Sequence, residues 1–173
     1  MMFQKLTKLA VGPLAILMLT GANFKGDRLS VVFPDGWSPP ETGADGLTQS
    51  FESKPGPNCN TQTKDLPGLA KATLAQINAD TGHAFSAAEW ADFLGYPATS
   101  ITVVDSEIRP FADAYFHVGT LRIKTDQGAD VMMRHGFYVL PGRITMTGCY
   151  AEPANFDSKY AVFDRVVNSL RPW

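Results

Sequence analysis

"DAYFHVGTLRIKTDQGADVMMRHGFYVLPGRITMTGC", residues 113–149, reads as three strands joined by two tight turns. Asp126, Gln127 and Gly128 have the composition of a three-residue hairpin loop, a type I turn followed by a left-handed residue that glycine adopts without strain. With that loop, Ile123 faces Val131, Leu121 faces Met133, Gly119 faces His135 and His117 faces Phe137. Every apolar partner then falls on one face, and a slip of a single residue would scatter them. Pro141 and Gly142 form the second turn, which sets Val139 against Ile144, Phe137 against Met146 and His135 against Gly148. Two independent turns therefore agree on one buried face of a three-stranded meander. Cys149 falls on the opposite face, beside Thr145 and Thr147.

Working outward, "TSITVVDS" supplies a strand before the meander and the run from Pro153 a helix after it. Proline suits the first helical position, and Phe156, Tyr160, Phe163, Val167 and Leu170 form an apolar stripe at helical spacing, ending near Arg171. Further upstream, "RLSVVF" and "LTQSFES" alternate as strands, while the turn-rich "KPGPNCN" places Cys59 in a loop. Two helices separate these strands from the rest. The first is expected over "LPGLAKATLAQINADTG"; the second, "SAAEWADFLG", opens with a Ser86–Glu89 capping box and stops at Gly95. The expected order is β-β-α-α-β-β-β-β-α, an α+β domain with a mainly antiparallel sheet and helices packed on it.

The opening "VVFPDGW", the long excursion, the meander and the ending "YAVFDRVVNSLRPW" together resemble the PsbP-like fold family. The resemblance covers most of the chain beyond the leader and rests on element order with a loose Phe-Pro-x-Gly-Trp and Phe…Ser-Leu-Arg pattern. That family includes extrinsic photosystem II subunits and exported bacterial proteins. It implies a binding or assembly role, and it brings no catalytic motif to carry over to this sequence.

Residues 1–22 have the make-up of a signal peptide, with Lys5 and Lys8 ahead of the apolar "LAVGPLAILMLTGA" and small residues, Thr20 and Ala22, before the expected cut. The remainder, 23–173, suits one domain. Removal of the two leader lysines moves the formal charge from −2 to −4, which argues against nucleic acid as a partner and against a membrane surface once the leader is gone. The expected location is the periplasm or the exterior. There, two cysteines are read first as a disulfide, Cys59 to Cys149, closing a loop of about 90 residues. Neither sits in the cationic or C-x-x-C setting that makes a reactive thiol.

The sequence contains no G-x-S-x-G elbow, no S-x-x-K pair, no H-E-x-x-H and no phosphate-binding loop. The leading expectation is an accessory protein that acts through contacts with another envelope protein, without catalysis and without a cofactor. Trp37 and Tyr96, on loops, are the candidate anchors, because Trp and Tyr dominate interface hot spots. The alternative is a domain that binds a metal or small ligand through His117 and His135, which share the buried face beside Gly119 and Gly148. On that alternative the glycines leave room for a ligand; otherwise they admit a bulky helix side chain such as Trp90 or Phe163. A hydrolase with scattered residues is a third reading. Asp105, Glu107 and Arg109 read as exposed turn charges.

Overall fold

The computed structural model describes residues 21–173, so the leader, apart from its last two residues, lies outside the described residues. The first strands are β1 (Ala22–Lys25), β2 (Leu29–Phe33), β3 (Glu41–Thr42), β4 (Thr48–Phe51) and β5 (Asn58–Asp65). Helices α1 (Leu74–Thr81) and α2 (Ala87–Leu94) follow, then β6 (Ile101–Phe111), β7 (Ala114–Lys124), β8 (Asp130–Leu140) and β9 (Arg143–Ala151). Helix α3 (Pro153–Asn168) and a short β10 (Arg171–Pro172) complete the chain. The main sheet is antiparallel with the order β3-β4-β5-β9-β8-β7-β6, and β1, β2 and β10 form a small second sheet.

The meander has the register expected from its turns. Gly119 pairs with His135 and Leu121 with Met133 across the first hairpin. His135 pairs with Gly148 and Val139 with Ile144 across the second. Gly128 (φ 86°) and Gly142 (φ 72°) take the left-handed conformations that these turns require. Helix α2 also starts as its sequence requires: the Ser86 hydroxyl accepts from the Glu89 backbone, the Glu89 carboxylate accepts from the Ser86 backbone, and Gly95 closes the far end in a left-handed conformation.

Both faces of the meander are buried, where the sequence reading distinguished only one. Leu121, Met133, Phe137 and Trp90 pack together on the α1–α2 side. Phe116, Val118 and Tyr138 pack with Phe163, Val167 and Leu170 of α3 on the other. Apolar residues at consecutive positions of a strand are what two covered faces demand. Tyr160, assigned by spacing to the α3 core stripe, is instead among the exposed large hydrophobics.

Two expected elements differ. The first helix does not begin at Leu66: Pro67–Leu69 makes a short 3-10 turn, and α1 starts only after Thr73, which caps it in a box with Gln76. Cys59 is not in a loop. It lies on β5, directly opposite Cys149 on β9, and the disulfide joins neighbouring strands rather than pulling a loop across the sheet. The turn residues end at Pro57, and "NCNTQTKD" carries no apolar alternation to mark it as a strand.

Candidate functional site

The row Gly119–His135–Gly148 is filled from both sides. A Cβ at Gly119 would stand 2.6 Å from Cζ2 of Trp90, so that glycine exists to admit the indole. Trp90 is fully buried, and its Nε1 donates to Ser106 Oγ at 3.0 Å. At Gly148 the space is taken by His135, whose Cδ2 would be 2.7 Å from an added Cβ, and by the Tyr150 hydroxyl at 2.9 Å. His135 is therefore held between the α2 aromatics, Trp90 and Phe93, and the β9 phenol.

His117 and His135 share the face but have different surroundings. The His117 ring stacks on Phe137 with centroids 4.7 Å apart and also touches Phe85 at 4.8 Å. His135 lies against Trp90 and Phe93 of α2, 6.2 Å from the Phe137 ring. Both rings have a buried Nδ1 without a hydrogen-bond partner. Burial holds both in the neutral form, driving His135 down to about 3, and His117 to about 4 with some help from His83. Among the described residues no three His, Cys, Asp or Glu side chains are grouped to hold a metal ion.

One of the two histidines opens onto a cavity. A groove of about 470 Å³ runs over the sheet beside α2, with His135, Met133, Ile144 and Met146 among the residues of its floor. Phe93, Leu94 and Tyr96 stand on the α2 side, and Asn60, Gln62 and Lys64 form the opposite wall. The wall follows from the pairing of β5 with β9, because Asn60, Gln62 and Lys64 lie against Gly148, Met146 and Ile144. Tyr150 closes one end, and burial pushes its phenol up to about 12. The volume falls in the range of small-molecule sites, which are mostly apolar with a few placed polar groups.

The structure thus brings His135 and Tyr96 to one groove and leaves His117 and Trp37 outside it. Trp37 is half-buried on the α3 side, edge-on to Phe163 with centroids 6.4 Å apart. Sequence reasoning missed Tyr150 and the β5 wall, since a polar strand gives no signal until its neighbour is known.

Asp105, Glu107 and Arg109 are not turn charges. They lie on β6, and the carboxylates bind Arg134, a β8 guanidinium only 2% exposed. Arg134 Nη1 donates to Asp105 at 2.6 Å and to Thr120 Oγ1 at 3.0 Å, while Nε donates to Asp164 of α3 at 3.1 Å. Arg109 pairs with Glu107 and donates to Asn168 of α3. This network ties β6, β8 and α3 together, and its partners meet every need of the buried cation.

No protein-family model matches the chain, and no curated protein matches it in sequence. Solved structures do. The solution structure of cyanobacterial PsbP from Synechocystis sp. PCC 6803 superposes with a TM-score of 0.64 at 12% identity, over 94% of this chain and 100% of that one. PA94 from Pseudomonas aeruginosa, a protein of unknown function, gives 0.51 at 12% identity, over 88% of this chain and 97% of that one. A protein from Bacteroides thetaiotaomicron VPI-5482 gives 0.50 at 8% identity, over 89% of this chain and 49% of its own. The chain has the PsbP-like fold. Identities this low establish the architecture alone.

Proposed function

We propose that this chain is an exported binding protein of the periplasm, without catalytic activity, and that the groove beside α2 is its binding element. One observation carries the reading: an apolar trough is left beside Leu94 and Tyr96, next to the core that α2 forms with the sheet. The groups that line it favour holding over chemistry. His135 is neutral and Tyr150 is a phenol throughout the physiological range. Export is supported by the leader-like residues 1–22 and by the Cys59–Cys149 disulfide, which suits an oxidising compartment. Among the described residues no helix is long and apolar enough to cross a membrane. Trp37 is left out of the binding element, since its ring covers the edge of the α3 core.

The test is native purification of the exported protein from envelope extract, beside the variant Leu94→Asp. Proteins and extractable small molecules that accompany each would be identified by mass spectrometry. A species retained by the natural protein and lost from the variant is the expected result. The same set from both would remove the groove from the function.

A further inference from the structure

The two ends of the groove differ. At one end stand His135, with its unpartnered Nδ1, and the Tyr150 hydroxyl, both neutral. At the other end, along β5, is Lys64, which lies opposite Ile144. Among the described residues Lys64 is the only charged side chain lining the groove. Among the described residues it makes no ion pair, and the carboxylate of its neighbour Asp65 is taken by Arg28. Four residues of extended strand separate Asn60, at the neutral end, from Lys64, a span of about 13 Å. Met146 lies between them, with Ile144 beneath Lys64 and Met133 beside Tyr150 at the neutral end, and methionine adapts its shape to a flexible chain.

From this polarity we propose that the groove binds a slender single-chain amphiphile with an anionic head, its apolar chain over Ile144 and Met146 and its carboxylate at Lys64. The inference rests on the groove being the binding element. Charge complementarity sets the direction of the ligand: the neutral end offers an anion no opposite charge, while the Lys64 ammonium is opposed by no carboxylate of the lining. A straight-chain carboxylate such as decanoate matches the span.

The experiment uses the purified exported protein and an uncharged naphthyl fluorophore, displaced in turn by decanoate, decanol and decylamine at neutral pH. Decanoate should compete roughly three- to five-fold better than decanol, as suits an ion pair at a solvent-facing rim, and decylamine should be the weakest. Lys64→Gln should abolish the preference for decanoate and leave decanol unchanged, and added salt should shrink the preference in the natural protein. Equal competition by all three heads, or a preference that survives Lys64→Gln, would overturn the proposal while leaving the groove a binding site. So would stronger competition by a short apolar peptide with a free carboxy terminus, which would make the occupant a protein segment. A fluorophore that fails to bind, or binds Leu94→Asp equally well, would refute the binding role of the groove itself.

Discussion

The two faces of the meander use the same strands and are finished differently. On one, α3 is 16 residues long and spans roughly 24 Å. It packs on β8 and β9 and also touches β2. On the other, α1 and α2 have 8 residues each, roughly 12 Å apiece, and pack chiefly against β6, β7 and β8. The strands β9 and β5 are left uncovered there, and that shortfall is the groove. The difference teaches that a binding surface need not be built by special residues. It arises where helix length runs out before the sheet does.

Four measurements would break or sharpen this contrast. The largest effect belongs to the closed face: Phe163 is fully buried, so Phe163→Ala should cost about 3–5 kcal/mol by denaturant titration. A cost near that of a surface residue would show that α3 is not the tight cover described. The disulfide comes next. Cys59→Ser and Cys149→Ser should each destabilise by about 2–4 kcal/mol, and the double variant by little more, because either change breaks the same bond. Additive losses would mean the two thiols act separately.

The third measurement is a pH profile. His135 and His117 bind protons more readily in the unfolded chain, where the ordinary value is 6.5, than in the fold, where they lie near 3 and 4. Their contribution to stability is therefore complete above about pH 6.5 and is lost as pH falls towards those lower values. His135→Gln should flatten the decline between pH 6.5 and 4, with a difference on the order of 1–3 kcal/mol across that window. An unchanged slope would place the acid sensitivity elsewhere; Glu89, which its bonds with the Ser86 backbone and with His83 hold down to about 2, loses its contribution only below about pH 4.5. The smallest effect is expected at the open face. Leu94→Asp should cost about 1–2 kcal/mol, because its side chain is only half-buried at the edge of the α2 cluster. A loss as large as that of Phe163→Ala would mean the groove is core and not a site.

What could be read in the sequence follows from the same contrast. The register of β7, β8 and β9 was legible because Gly128 and Gly142 fix two short turns and the apolar residues test every alignment. Helix α2 was legible from its Ser86 and Glu89 cap and its Gly95 stop. Strand β5 was hidden, since Asn60, Gln62 and Lys64 face a groove and Thr61 donates to the Met146 carbonyl, so neither face shows apolar alternation. The Arg134 network was hidden too. Its members come from β6, β7, β8 and α3, and only the folded sheet shows that Asp105 and Glu107 serve one cation. His135 could be nominated from its glycine neighbours, but the pairing with His117 could not be tested. Which imidazole meets a cavity depends on where α2 ends.

The bond between Cys59 and Cys149 has a consequence for the order in which the molecule is completed. Strands β6 to β9 are joined by short turns and can pair with their neighbours as each is made. Strand β5 must return to β9 across a separation of 90 residues, the longest closure of the main sheet. One wall of the groove, from Asn60 to Lys64, arrives with it. Oxidation of the two thiols therefore records that the last seam has shut, and a chain still carrying free thiols holds that wall by the backbone ladder and the hydrogen bonds of Thr61, Thr63 and Thr147, with no covalent link.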